Sequence, residues 1–327
     1  MSPALDEPWT LGGVSIPNRV VLAPLAGIGN WFVRLQARRH GAGLVVSEMV
    51  SSFGVHHGNE RTLREMLRIH PDEHPVSVQL FGHDPEVMRS AAARVAQAGA
   101  DLIDINMGCP VPKVCKTGAG AALLADPDRA VALAVAAREG SGLPVTVKLR
   151  PGRRPGDRQG VELARRLAAE AGIAGLCFHP RHASQQHRGA PDHELAAELV
   201  AELPVPVLIS GGLRDPDAVR RVFDRTGAAA VMLARGSLGN PWLFEQALGL
   251  RAGEPTREEV LAELRWVMAR AAEHLGRERA ARYLRKFYPW YLERLGAAPG
   301  LQDALQRVAT LEQAEALLST PALAEAA

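Results

Sequence analysis

Eight short apolar runs recur between residues 20 and 233, and helical patterns fill most of the gaps between them. The runs are 20–22, 44–47, 76–80, 102–105, 145–149, 175–178, 205–209 and 229–233. Most are apolar throughout, which fits parallel strands covered on both faces. Helical spacing occupies 31–39, 85–98, 127–139, 161–171, 194–202 and 215–224. Pro85, Pro127 and Pro216 each follow an Asp, so Asp can cap a helix whose first position is Pro. Gly99, Gly140 and Gly172 stand where C-terminal glycines are expected. Eight strands with helical crossovers predict an α/β fold, a (β/α)8 TIM barrel. A doubly wound sheet is the alternative, but it needs a topological switch point that no glycine fingerprint marks. Residues 10–18 read as a small hairpin closing the barrel floor.

The pattern changes near residue 249. Residues 249–255 read as a linker, and only helical patterns follow. Thr256 and Glu259 form a capping box. Val260, Leu261, Leu264, Val267, Met268 and Ala271 then repeat at helical spacing, with further helices near 278–295 and 311–318. The predicted organisation is a barrel domain over 1–248 and a small all-helical domain over 249–327. The Ala-rich tail after Pro321 is expected to fray.

Composition narrows the class. A hydrophobic fraction of 47% excludes a mainly disordered chain. A net charge of +2 excludes a polybasic or polyacidic protein but allows a local basic patch. No apolar run approaches the ~18 residues that a membrane span needs. The acidic, Pro-containing start does not read as a signal peptide. Three cysteines without CxxC spacing point to a reducing, cytoplasmic setting, and the histidines lack ligand spacing, so no metal is expected. Without an exposed heptad or self-complementary strand, a monomer is expected.

Barrel enzymes place their chemistry at the carboxyl ends of the strands. There the sequence sets Pro24, Leu25 and Ala26, then Gln79, then Asn106 and Cys109, then Lys148, His179 and Arg181, then Ser210-Gly211-Gly212, and finally Ala234-Arg235. The last two turns suit either a phosphate on backbone N–H groups or ordinary tight turns. A Lys at the end of an apolar strand needs a partner, either a bound anion or an ion pair. Its identity is informative, because only four of 38 basic residues are Lys, at 113, 116, 148 and 286. His179 is either a ligand contact or a satisfied core residue. Cys109, between Gly and Pro, is a buried thiol, a nucleophile or a proton donor. Gly118-Ala119-Gly120 only faintly matches a dinucleotide fingerprint, lacking its last small residue and a preceding strand.

The helical region has one concentrated signal. Tyr283, Phe287, Tyr288, Trp290 and Tyr291 crowd together among Arg282, Arg285 and Lys286. Cations interleaved with rings suit RNA, whose phosphates and bases take the two. The alternative is a helix that buries its aromatics and solvates its arginines.

These stretches resemble the tRNA-dihydrouridine synthases. The resemblance rests on LAPLAGIGN at 22–30, GAGLVVSEM at 41–49, QLFGHDP at 79–85, DINMGCPVPKVCKTGAGAALL at 104–124, VTVKLR at 145–150, ARGSLGNPW at 234–242 and RKFYPWYL at 285–292. It implies a flavin-dependent barrel enzyme that reduces the 5,6 double bond of uridine in tRNA, with NADPH reducing FMN. It implies Cys109 as proton donor and Asn106 on the uracil edge. Pro24, Leu25, Ala26, Gln79, Lys148 and His179 match flavin positions, and Ser210, Gly211, Gly212, Ala234 and Arg235 match the phosphate cradle. Lys113, Lys116 and Arg181, with Arg282, Arg285 and Lys286 of the helical region, are the expected RNA contacts. The chain departs from the pattern at several points. His182-Ala183 replace the usual Thr-Arg, His187 replaces a Tyr, Ser210-Gly211-Gly212 replaces Asn-Gly-Asp, Ala234 replaces Gly, and Phe287 replaces a His. A sister FMN-dependent reductase of a free pyrimidine, or of another small conjugated substrate, is the alternative.

Overall fold

The computed structural model describes residues 3–319; the tail expected to fray lies outside them. The chain divides into two compact units, 1–234 and 235 onward.

The first unit opens with a hairpin of β1 (Trp9–Leu11) and β2 (Val14–Ile16), paired antiparallel as expected for 10–18. Then come β3 (Val20–Leu22), β4 (Leu44–Val46), β5 (Val50–Ser51), β6 (Val76–Phe81) and β7 (Leu102–Asn106). The remaining strands are β8 (Val145–Leu149), β9 (Gly175–Phe178), β10 (Val207–Ser210) and β11 (Ala230–Leu233). All neighbours in this sheet are parallel, and pairing of β4 with β6 closes it into an eight-stranded TIM barrel. The two-residue β5 is an addition beside β6.

The helices of this unit are α1 (Trp31–Arg39), α2 (Ser52–His56), α3 (Pro85–Gln97), α4 (Pro112–Cys115) and α5 (Pro127–Ser141). They continue with α6 (Gln159–Glu170), α7 (His193–Glu202) and α8 (Pro216–Thr226). Asp84, Asp126 and Asp215 cap α3, α5 and α8, accepting from first-turn N–H groups with Pro at the first position. Gly140 does not end its helix. It lies inside α5, where a Cβ would fall 2.2 Å from the Arg89 carbonyl oxygen, so it permits close approach to α3. Gly142, with φ +67°, makes the actual C-cap.

The hairpin supplies Leu11 and Ile16, both fully buried, to a cluster with Val21, Leu44, Leu102, Leu208 and Met232. Each such burial is worth about 1.5–3 kcal/mol. The polar residues are left to the opposite, carboxyl ends of the strands.

The second unit begins directly after β11. It contains α9 (Trp242–Ala247), α10 (Arg257–Leu275), α11 (Arg277–Leu284), α12 (Tyr288–Leu295), α13 (Pro299–Arg307) and α14 (Leu311–Leu318). The break at 234/235 is earlier than the 248/249 read from the linker composition. Residues 235–247 cluster with the later helices: a Cβ on Gly239 would lie 2.7 Å from the Trp290 backbone. The capping box of Thr256 and Glu259 is formed.

Candidate active site

Two successive rows of register partners build the barrel mouth. Gln79, Asp104 and Thr146 lie side by side on β6, β7 and β8. Two residues further along the strands, Asn106, Lys148 and Cys177 do the same on β7, β8 and β9. A spacing of two keeps each strand's pair on one face of the sheet.

The lower row is a closed set of hydrogen bonds. Asp104, 1% exposed, accepts from Gln79 Nε2 and from Thr146 Oγ1, both at 2.6 Å. Burial raises its carboxyl to about 6, opposed by those two donors and by the Lys148 charge. Gln79 Oε1 accepts from Asn106 Nδ2 at 2.9 Å. Asn106 Oδ1 in turn accepts the backbone N–H of Cys109 at 2.9 Å and of Gly108 at 3.3 Å. The β7 strand thus fixes the loop that carries Cys109.

Cys109 is half-buried and free. Burial pushes its thiol above the ordinary value, outweighing the Val111 N–H and Arg150, which both act downward. The thiol therefore holds its proton at neutral pH. Its carbonyl accepts from Ala121 N at 3.0 Å, and Gly120, with φ +62°, passes so close that a Cβ would lie 2.7 Å from that oxygen. Gly120 thus serves the packing of this loop, while Gly118, with φ +83°, lies against His83.

Lys148 forms no ion pair among the described residues; Nζ lies 3.3 Å from Ser210 Oγ. The structural ion pair considered for it is absent, and burial lowers its pKa. His179, 9% exposed, lies 3.2 Å through Nε2 from Arg181 Nη1, so Nε2 accepts and Nδ1 carries the proton. Its pKa is driven far down by burial and by Lys148, Arg150 and Arg181, which keeps the ring neutral. Gly211 and Gly212 take φ of +112° and +82°, a region that favours glycine. Neither of their N–H groups donates within the described residues. A Cβ on Gly211 would lie 3.0 Å from His179 Nε2, so this turn sits against the histidine. Pro24 is half-buried, Leu25 buried and Ala26 exposed at the end of β3.

Several expected RNA contacts are placed otherwise. Arg181 is 6% exposed and turned inward, donating to the Gly189 carbonyl through Nε at 3.1 Å and Nη2 at 2.9 Å. Arg285 spends Nη2 on the Val308 carbonyl at 2.8 Å. Phe287, Tyr288 and Tyr291 are buried, so most of the aromatic cluster is core, as in the alternative reading of that helix. Arg282 is exposed beside Glu278, and Lys286 is exposed with Nζ 4.6 Å from the Tyr283 ring centroid. Lys113 and Lys116 are exposed on and just after α4. Ala234 ends the first unit, and exposed Arg235 opens the turn that starts the second.

Sequence reasoning missed two residues. Asp104 was visible as a lone acid inside an apolar strand, a costly placement unless it is partnered. Arg150 was visible only as a polar strand end. It is 6% exposed and donates to the carbonyls of Gly108, Arg181 and Gln186 at 2.9, 3.1 and 3.1 Å.

A family model described as dihydrouridine synthase matches residues 21–327. The chain belongs to this family. Among its relatives is tRNA-dihydrouridine synthase B of Pseudomonas aeruginosa, 37% identical over 303 residues and covering 91% of each chain. A probable tRNA-dihydrouridine synthase of Mycobacterium tuberculosis is 36% identical over 334 residues, covering 97% of this chain and 84% of that one. As a member of the family, this chain is an oxidoreductase. Among solved structures, 2-naphthoyl-CoA reductase superposes with a TM-score of 0.61 at 14% identity, over 77% of this chain and 53% of that one. Morphinone reductase in complex with tetrahydroNAD gives 0.53 at 17%, over 79% and 94%. At such identities these two speak for the barrel fold alone. Among the described residues no His/Cys/Asp/Glu group is arranged to hold a metal ion, and no helix is long and apolar enough to cross a membrane.

Proposed function

We propose that this chain reduces the 5,6 double bond of uridine in tRNA to 5,6-dihydrouridine, with FMN in the barrel mouth and NADPH as reductant. The carrying observation is geometric: Lys148, without an ion pair among the described residues, is the register partner of Asn106, whose Oδ1 holds the loop of Cys109. The names of the curated relatives support the tRNA substrate.

The residues present fit FMN. The unused N–H groups of Gly211 and Gly212 suit its phosphate, as backbone donors do at such turns. Lys148 would face its pyrimidine edge and offset negative charge there. Gln79 has one N–H left for the ring after serving Asp104. When bound, FMN supplies the hydride that it takes from NADPH.

The protein's own part is proton delivery and orientation. Asn106 keeps one N–H for a carbonyl of the base. Cys109 Sγ would give its proton to the other carbon of the 5,6 bond, next to the one that takes hydride, and the thiolate would recover a proton from water. A thiol held protonated at pH 7 suits an acid in this step. Lys113, Lys116, Arg282 and Lys286 are the cations we assign to tRNA phosphates.

The test is direct. Purified protein with FMN, NADPH and tRNA lacking dihydrouridine should yield dihydrouridine, quantified by nucleoside mass spectrometry. The burial of Phe287, Tyr288 and Tyr291 favours one other reading, a small pyrimidine as substrate. Reduction of free uracil or uridine with untouched tRNA would establish that reading instead.

A further inference from the structure

The proposed function uses Cys109, Asn106 and Gln79 but gives no part to the buried acid beneath them. A carboxylate can only accept hydrogen bonds, and a backbone N–H can only donate. Asp104 stands at one end of the chain of bonds, and the N–H groups of Cys109 and Gly108 stand at the other. Between them are two amides, Gln79 and Asn106, each of which can be turned over without changing shape. Only one order satisfies both ends. Gln79 must turn Nε2 to Asp104, so its Oε1 meets Asn106 Nδ2, and Asn106 Oδ1 is then left for the Cys109 loop.

We infer that Asp104 is a positioning residue that sets the order of donors and acceptors along Gln79 and Asn106, and so holds the Cys109 loop. With Asp104 at about 6 the group is an acceptor at neutral pH, and Thr146 fixes its second oxygen at 2.6 Å. Reversal of the amides would set Asn106 Nδ2 against two backbone donors and release the loop. The same order leaves Asn106 with a single N–H for a ligand, because Oδ1 is taken twice. Resting on the proposed function, this selects a pyrimidine with a carbonyl at that point. A ring amino group there would meet a donor.

The test reads the last link without needing turnover. Amide hydrogen exchange is followed at Cys109 and, as control, at Met107, whose N–H bonds the Lys148 carbonyl at 2.8 Å. In Asp104→Leu the Cys109 amide should exchange about tenfold faster or more, while Met107 keeps its protection. Asp104→Asn keeps size and one acceptor but admits the reversed order, so a smaller rise of about threefold is expected. That variant decides the matter alone if the Leu protein does not fold. Unchanged Cys109 exchange overturns the inference. Equal loss at Cys109 and Met107 also overturns it, since the acid then serves the barrel as a whole. In tRNA assays the Leu variant should lose uridine reduction. A wild-type protein that makes no dihydrouridine refutes the proposed function and leaves the exchange result standing.

Discussion

Arg150 Nε donates to the Gly108 carbonyl at 2.9 Å, one residue before Cys109. The same guanidinium reaches the carbonyls of Arg181 and Gln186 through Nη1. One buried cation from the end of β8 therefore ties the Cys109 loop to the loop after β9. Asn106 holds the Cys109 loop from below and Arg150 from the side.

Removal of this clamp should cost stability. Arg150→Met takes this donor from the carbonyls of Gly108, Arg181 and Gln186, and each charged hydrogen bond is worth about 1.5–3 kcal/mol. A loss of about 3 kcal/mol is expected in urea denaturation. Arg150→Lys should recover little of it, because an ammonium cannot span carbonyls in two loops. A loss under about 1 kcal/mol in the Met variant would show that the loops are held by other contacts.

The raised Cys109 thiol predicts a pH profile. A pKa above the ordinary value means that the protonated form dominates through neutral pH. Alkylation by iodoacetamide needs the thiolate. Its rate at Cys109, followed by peptide mass spectrometry, should climb about tenfold per pH unit past pH 9 without levelling. A plateau below about pH 8.5 would mean a depressed pKa and a nucleophile rather than an acid.

The basic residues of the helical unit should not act alike. Arg282→Ala with Lys286→Ala should weaken tRNA binding about threefold to tenfold and flatten its dependence on salt. Arg285→Ala should act mainly on stability, since its guanidinium serves the Val308 carbonyl. Salt-dependent binding that is unchanged in the double variant would move the RNA contact to another surface.

The barrel was legible because its strands are short, mostly apolar runs and helical patterns fill most of the gaps between them. The candidate positions at the barrel mouth stood out for the same reason: Lys148, His179 and Ser210-Gly211-Gly212 each break or follow such a run. Side-chain direction was not. Arg181 looks like a surface cation in the sequence, but its guanidinium turns inward to Gly189 and His179. The aromatic cluster at 283–291 looks like a stacking platform, yet three of its rings are buried. The short β5 is too brief to show a period, and Asp104 stayed hidden inside a motif whose neighbours drew the chemistry. Composition marked the linker at 249, whereas packing moves 235–247 into the helical unit.

Proton donation by Cys109 is the central claim, and a single-turnover experiment tests it most directly. Enzyme with FMN already reduced is mixed with tRNA lacking dihydrouridine, and flavin reoxidation is followed by absorbance in the wild type and in Cys109→Ala. Both proteins should be yellow and should be reduced by NADPH at similar rates. Reoxidation by tRNA should be about 100-fold slower or more in the variant, the scale of losing a positioned general acid. Equal reoxidation rates, with equal dihydrouridine formed, would contradict the role of Cys109.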